Sequence, residues 1–348
     1  MNVVFSKKGF LVFCKQHKHE SFEEILTLFR RGMGFKMAFS KSELYTLPIQ
    51  QRNLIMPIIK RLGRNRHESN IFEWNYVIPK ALLERNYHQL GFDELSAIYF
   101  LTSKGSESDL IKKDECILCV SESKDFDNLT KLFIEDPLES TFVYTIDRDL
   151  GEDWNLIKKQ KTPSSEIIIV DGFLFGRGEI YYEKNFLRII QILADGRSPI
   201  PKNLIIFTFR EAYDKYTKQT YMTNAKGIQR KIENIYKDAN LTPPNIKIIL
   251  MPQGTKHERT IITNYKQYIN GDTFNLYDVN GNIISCDEHF TVRNYTNPKT
   301  FENLKSYLLK LQNLILPLNQ YGMAESSFLK TSRHQGEAIQ HSQSPNLM

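Results

Sequence analysis

The sequence predicts an α/β protein with a mixed sheet and flanking helices. Three apolar runs, EIIIVDG (166–172), NLIIFTF (203–209) and NIKIILM (245–251), read as buried strands. Amphipathic helical stretches follow the first and the second run, and this β-α-β-α-β order predicts a parallel sheet. From residue 256 onward, short alternating runs joined by Asn-Gly dipeptides at 270–271 and 280–281 predict an antiparallel meander.

The chain divides into four predicted regions. Residues 1–103 are basic and predicted mainly helical or mixed, with helical spacing of apolar residues over 54–62. Residues 104–160 form an acidic, mixed α/β segment with strands at CILCVS and STFVYTI. Residues 161–318 form the α/β domain, which a helix at 301–318 closes. Residues 319–348 are polar and are predicted to form a flexible tail.

The composition argues against a membrane, secreted or metal-binding protein. In 348 residues, no window reaches the roughly 18 apolar residues of a membrane span, and lysines interrupt the apolar N-terminus. We therefore expect a cytoplasmic protein. Cys116 and Cys119 form a CxxC within an apolar run, without a second pair at ligand spacing. The sequence thus predicts buried thiols, with no metal and no cofactor.

The charge is concentrated in one segment. Residues 30–67 carry nine basic side chains against one acid, whereas residues 104–155 hold fourteen acids against six bases. Clustered cations are typical of a polyanion partner, because each cation that meets a phosphate releases counterions. The alternative is a solvated surface with counter-charges elsewhere in the fold. The predicted nucleic-acid contacts are Arg30, Arg31, Lys36, Lys60, Arg61, Arg64 and Arg66. The aromatic residues Phe35, Phe39 and Tyr45 lie within the same segment.

A candidate site lies at the carboxyl ends of the predicted parallel strands, where ligands gather in open α/β sheets. Asp171, Arg210, His257 and Arg259 are expected there. Arginine grips phosphate bidentately, and histidine can act as a nucleophile or a general acid. The alternative is structural, with Asp171 capping a turn and His257 pairing with it.

The strings EIIIVDGFLF, NLIIFTF and HERTIITNYKQYINGDTFNLYD resemble the phospholipase-D-like fold, closest to its MIT C-terminal-domain branch, over about residues 160–318. In active members a histidine attacks phosphorus, a lysine holds its oxygens, and an aspartate supports a histidine. By this resemblance His257, Arg259 and Asn264 would be catalytic only in an active enzyme. Together with the residues at the strand ends, the resemblance gives a candidate phosphate-binding set of Asp171, Arg210, His257, Arg259 and Asn275.

This chain departs from the active pattern. Asn264 lacks the carboxylate charge, Asp272 follows Gly271 where a serine is expected, and the motif occurs once, so a complete active site would need a dimer. The MIT branch carries the same His-x-Arg form and binds acidic lipid head groups without catalysis. The resemblance therefore implies a catalytically degenerate core.

Three functions remain open at this point. The first is a nucleic-acid-binding protein with a degenerate phospholipase-D-like core, and the resemblance implies a component of a bacterial defence or mobile-element system. The second is a metal-independent phosphodiesterase or nuclease active as a dimer. The third is an adaptor for acidic phospholipid head groups. A protein partner, within a larger complex or as a homodimer, is compatible with each.

Overall fold

The structure is a computed structural model. It describes residues 1–63, 71–84, 86–101, 117–121, 125–126, 129, 132–133, 141–146, 154, 157, 162–175, 179–194, 202–214, 218–271, 274–275, 277–278, 280–282, 288–315, 318–322, 326 and 328–329. The chain forms two compact units. The first comprises Met1–Ser140 and Asn294–Leu304, and the second comprises Thr141–Arg293 and Lys305–Met348.

The first unit is built on a five-stranded parallel sheet. Its order is β3-β2-β1-β4-β5. The strands are β1 (Asn2–Phe5), β2 (Gly34–Met37), β3 (Phe72–Trp74), β4 (Ile98–Phe100) and β5 (Cys119–Val120). The helices are α1 (Lys7–Lys15), α2 (Phe22–Arg30), α3 (Lys41–Tyr45), α4 (Ile49–Leu62), α5 (Lys80–Leu83) and α6 (Phe92–Leu95). Short 3₁₀ turns lie at Gln16–Lys18 and Tyr87–Gln89.

Helix α1 lies against the middle of this sheet because of one small residue. Ser6 caps the helix by accepting a hydrogen bond from the Gly9 N–H at 3.0 Å. A Cβ on Gly9 would lie 2.0 Å from the Phe100 carbonyl oxygen, so only glycine permits this approach. Phenylalanines from the strands and helices, including Phe5 and Phe13, fill the core with edge and stacked ring contacts.

Residues 1–103 form the predicted helices and also a sheet that the sequence did not predict. Helices do form there, and α4 contains the predicted helical stretch with Ile55, Ile58, Ile59 and Leu62 buried. The prediction did not include the sheet, whose strands β1 to β4 are only three or four residues long. Strands this short carry too few residues for alternation to show.

The second unit contains an eight-stranded mixed sheet in the order β15-β11-β8-β7-β12-β13-β14-β6. The strands are β6 (Thr141–Ile146), β7 (Glu166–Val170), β8 (Asn203–Phe209), β11 (Asn245–Met251), β12 (Thr260–Ile262), β13 (Lys266–Asn270), β14 (Glu288–Asn294) and β15 (Asn319–Gly322). A separate hairpin pairs β9 (Glu211–Asp214) with β10 (Gln219–Met222). The helices are α7 (Glu179–Lys184), α8 (Phe186–Ala194) and α9 (Ala225–Asp238); α10 (Pro298–Ile315) is divided between the units.

The β-α-β-α-β prediction is confirmed. Strands β7, β8 and β11 are adjacent and parallel, and helices α7 to α9 separate them along the chain. Ile190 of α8 and Ile232 of α9 share one buried cluster with Ile169 and Ile206, so α8 and α9 cover the same face of the sheet. The predicted strands CILCVS, seen as β5, and STFVYTI, seen as β6, also form.

Two predictions about the second unit need correction. The predicted strand HERTIITNY is interrupted, because the chain reverses at 263–265, where the Thr263 hydroxyl accepts from the Lys266 N–H and donates to its carbonyl oxygen. The expected flexible tail is ordered at its start: β15 pairs with β11, and Phe328 is fully buried. The buried Glu166 carboxylate holds this segment by accepting hydrogen bonds from the Ser326 hydroxyl and the Phe328 N–H. Residues 330–348 lie outside the described chain.

Candidate functional site

The sheet of the second unit brings four of the predicted site residues together. Strand β12 runs antiparallel to β7, so the residues before β12 lie beside the residues after β7. His257 and Arg259 therefore reach the loop at Gly172 and Phe173, which follows Asp171. Asn275 reaches the same loop by donating from its side-chain amide to the Phe173 carbonyl at 2.9 Å. We call this loop and the four side chains around it the Asp-His-Arg cluster.

Both ring nitrogens of His257 are bound to the backbone. Nδ1 lies 2.8 Å from the Thr255 carbonyl oxygen, and the Gly172 N–H donates to Nε2 at 2.8 Å. A carbonyl can only accept and an amide N–H can only donate, so these partners fix a neutral imidazole with its proton on Nδ1. The lone pair that a nucleophilic histidine would use is therefore occupied by Gly172. The Phe209 ring packs edge-on against the imidazole, with centroids 5.2 Å apart.

Asp171 is a fully buried carboxylate that organises backbone. One carboxylate oxygen accepts from the Phe173 N–H at 2.9 Å, and the other accepts from the Phe274 N–H at 2.7 Å. The first bond closes the turn after β7, and the second joins that turn to the segment after β13. Such charge-assisted bonds to main-chain donors are strong. This arrangement matches the structural alternative in that Asp171 caps a turn, but His257 bonds to backbone instead of to Asp171.

Arg259 is the cation of the cluster. Its side-chain Nη1 donates to the Gly271 carbonyl at 3.1 Å, and its guanidinium lies 5.9 Å from the centre of the Phe173 ring. The adjacent Glu258 carbonyl accepts from the Tyr307 hydroxyl of α10 at 3.2 Å. Burial raises the pKa of Tyr307 well above its ordinary range, so this hydroxyl remains a donor. These contacts hold Arg259 half-buried at the carboxyl edge of the sheet.

Arg210 is placed at the same edge but differently. It directly follows β8, its backbone N–H donates to the Met251 carbonyl at 2.8 Å, and its side chain is exposed. Arg210 follows β8 and Arg259 precedes β12. The two residues therefore lie at the same end of one sheet, with β7 between their strands, as the topology predicted. Asp272, which follows Gly271, lies outside the described residues.

The structure does not bring Asn264 to His257. Asn264 is fully buried, and its side-chain oxygen accepts from the Ser165 N–H at 3.0 Å. Ser165 precedes β7 whereas Asp171 follows it, and six residues of extended chain separate these ends by about 20 Å. Asn264 therefore lies apart from His257 and joins the turn after β12 to the start of β7.

The predicted nucleic-acid residues of the first unit differ in their exposure and in the contacts they make. Arg31 and Lys60 are exposed. Lys36 contacts Glu73 at 3.9 Å and lies 4.5 Å from the centre of the Tyr76 ring, while Arg61 pairs with Glu23. Arg30 is half-buried at the end of α2. Arg64 and Arg66 lie outside the described residues.

The aromatic residues of the basic segment also differ in their exposure. Phe35 and Phe39 are buried in the core of the first unit, where they contact Phe5 and Phe10, so neither ring faces a ligand. Tyr45 is 56% exposed and is the aromatic side chain of this set that a partner can reach.

The described residues contain no group of three or more histidine, cysteine, aspartate or glutamate side chains that could hold a metal ion. Cys119 lies half-buried in β5, and Cys116 lies outside the described residues.

Among the helices that the structure describes, none combines the length and the apolar character needed to cross a membrane.

Sequence reasoning missed the main-chain groups of the cluster. The His257 imidazole is held by the Gly172 N–H and the Thr255 carbonyl, which no side-chain pattern reveals. One signal was present, since Asp-Gly directly after a buried strand indicates a tight turn with exposed backbone donors. Gly172 is required because a Cβ there would lie 2.5 Å from the Phe209 ring.

No protein-family model matches the chain, and no curated protein matches it. Among solved structures, the chain is similar to TrmBL2, described as an archaeal chromatin protein with a novel mode of DNA binding. The two share 13% sequence identity with a TM-score of 0.24, and the match covers 54% of this chain and 60% of that one. A likeness this distant identifies neither a fold family nor a function for this chain.

Proposed function

We propose that the protein binds nucleic acid through the basic surface of its first unit, and that its second unit is a catalytically degenerate phospholipase-D-like core. The observation that carries the binding proposal is the one-sided charge of residues 30–67, nine bases against one acid. In this segment Arg31, Lys41 and Lys60 have exposed side chains. Helix α4 carries Arg52, Lys60 and Arg61 and no acidic residue.

The contact between Arg61 and Glu23 shows how far the cations at the end of α4 lie from those at the end of α2. It joins the last turn of α4 to the first turn of α2. Arg30 and Arg31 lie at the other end of α2, about 10–12 Å along its axis at 1.5 Å per residue. Cations spread over this length meet several phosphates of a polynucleotide, whereas a single small anion would contact only one end.

His257 supports the catalytically degenerate part of the proposal. Its Nε2 lone pair accepts the Gly172 N–H, and Asn264 lies at the opposite end of β7. An attack on phosphorus would require His257 to release Gly172 and would find no carboxylate from Asn264. Arg259 and the exposed Arg210 remain able to hold a phosphate group.

The binding proposal is tested by fluorescence anisotropy with labelled DNA and RNA oligonucleotides between 50 and 300 mM salt. Affinity should fall steeply with salt, and Arg31→Gln or Lys60→Gln should each reduce the slope by about 0.7–0.9. Lys80→Gln is the matched control: Lys80 is an exposed lysine of the same unit that pairs with Glu84 outside the basic segment. The absence of binding at low salt, or equal effects of all three variants, would contradict the proposal.

Two further assays separate the alternatives. Cleavage of DNA, RNA or a model phosphodiester that resists EDTA and disappears in His257→Ala would establish a phosphodiesterase and refute the degenerate core. Flotation with vesicles of anionic lipid, in the absence of nucleic-acid binding, would establish a head-group adaptor. The defence or mobile-element role belongs to the same proposal, and copurification from the native source with nucleic acid and protein partners recorded would test it.

A further inference from the structure

Helix α4 has a second face that the core does not use. Its buried residues form one stripe, whereas Ile49, Arg52, Asn53, Met56 and Pro57 recur at helical spacing on another side. These five residues, together with Tyr45 at the end of α3, line a depression of about 450 Å³. That volume is within the range of small-ligand clefts, roughly 300–1,000 Å³. We call it the α3–α4 groove.

Its lining combines an accessible ring with an apolar wall. Tyr45 and Ile49 are 56% and 64% exposed, which is unusual for side chains of this size next to one another. Met56 and Pro57 continue the apolar surface about two turns further along α4. A flat aromatic ligand can stack on Tyr45 and cover this wall at the same time.

The polar groups of the groove suit the edge of a base and a phosphate. Asn53 is exposed and offers both a donor and an acceptor. Pro57 has no N–H, so the Asn53 carbonyl lacks the usual helical donor four residues on. The Nε of Arg52 is buried and has no hydrogen-bond partner among the described residues. None of the described side chains that line the groove is a carboxylate, and the next cation along α4 after Arg52 is the exposed Lys60.

We infer that the α3–α4 groove receives an unpaired base of single-stranded nucleic acid. The base stacks on Tyr45, its edge meets Asn53, and Arg52 holds an adjoining phosphate. This inference rests on the proposed nucleic-acid binding and adds the preferred form of the partner. Bases inside a duplex are stacked and paired and cannot reach the groove, whereas single strands offer a π-face at every nucleotide. The positive charge of α4 complements the backbone on either side of the base.

The test compares single-stranded and duplex oligonucleotides of matched length by anisotropy at fixed salt. Tyr45→Ala should weaken single-strand binding by about 5- to 150-fold, the effect of losing one stacked base, and leave duplex binding within about twofold. Tyr45→Phe should retain single-strand binding, because the ring and not the hydroxyl does the stacking. Tyr213→Ala, which removes another exposed tyrosine in the second unit, is the control and should change neither affinity.

A spectroscopic readout supplements the affinities. A single-stranded probe carrying 2-aminopurine should lose fluorescence on binding to the unaltered protein and to Tyr45→Phe, and should lose much less with Tyr45→Ala. Thermal unfolding of each variant, unchanged within a few degrees, shows that the exposed substitution has not unfolded the unit.

The outcomes distinguish this inference from the broader proposal. Binding that depends on Lys60 and Arg31 but not on Tyr45, or that is tighter for duplex than for single strands, overturns the base-stacking inference and leaves the basic surface intact. No binding of any nucleic acid at low salt overturns both. Equal loss of single-strand and duplex binding in Tyr45→Ala also overturns the inference, because it assigns Tyr45 to a general contact.

Discussion

Asp171 offers a sharp test of whether the Asp-His-Arg cluster is held by structure or used for chemistry. The buried carboxylate accepts one main-chain N–H from Phe173 and another from Phe274. Asp171→Ala leaves both donors buried without a partner. A buried donor without a partner costs about 1–3 kcal/mol, so the free energy of unfolding of the second unit should fall by about 2–6 kcal/mol. Asp171→Asn keeps one acceptor and should cost about 1–3 kcal/mol.

The assay uses the placement of the two tryptophans. Trp154 is buried in the core of the second unit, whereas Trp74 ends β3 of the first. In a Trp74→Phe background, the fluorescence of Trp154 during urea unfolding follows the second unit alone. Asp238→Asn, at the exposed end of α9, is the control and should stay within about 0.5 kcal/mol.

The result that would refute this reasoning is a stable Asp171→Ala variant. If its unfolding midpoint equals that of the parent while binding of phosphate or nucleic acid is lost, Asp171 acts on a ligand rather than on the loop. The opposite result, lower stability together with weaker ligand binding, is expected because the loop that carries Gly172 and Phe173 would loosen.

Three more outcomes follow from the first unit. Gly9→Ala should lower its stability by about 1–3 kcal/mol, because the new methyl would overlap a backbone oxygen of β4, whereas Gly63→Ala, with ordinary contacts only, should be nearly neutral in the same denaturation assay. The hydrogen bond from the Ser40 backbone N–H lowers the pKa of Glu43, so its contribution to stability is present above the ordinary carboxyl value of 4.5 and is lost as pH falls through the lowered pKa. Unfolding of the parent and of Glu43→Gln should therefore converge in acid. Burial raises the pKa of the Cys14 thiol, so iodoacetamide at pH 8 should label it, by mass spectrometry, only after unfolding.

The long apolar runs of the second unit predicted the fold better than any other pattern in the sequence. Strands β8 and β11 begin and end where the apolar runs predict, because six consecutive buried residues in β8 and four in β11 leave little ambiguity. The strands of the first unit are short and stand between helices, so their pattern merges with helical apolar faces. The ordered start of the tail was not predicted for another reason. Strand β15 is held by backbone hydrogen bonds to β11, and the polar composition of the segment gives no sign of them.

The candidate site was predictable in position and only partly in detail. Strand order brought His257 and Arg259 to the loop after Asp171, as the carboxyl-end rule predicts. The sequence spacing between His257 and Asn264 did not predict their distance in the fold. Strand β12 is only three residues long, so Asn264 lies at the far end of β7. The tautomer of His257 depends on two backbone partners, which only coordinates reveal.

The order of the eight-stranded sheet has a consequence for biosynthesis. One edge strand, β6, is the first of the sheet to leave the ribosome, and the other, β15, is the last. Until residue 322 has emerged, the outer edge of β11 has no strand to pair with, and an open edge of buried apolar residues invites pairing with other chains. We therefore expect the second unit to complete its folding only after translation has passed its final strand, and to depend on chaperones more than the first.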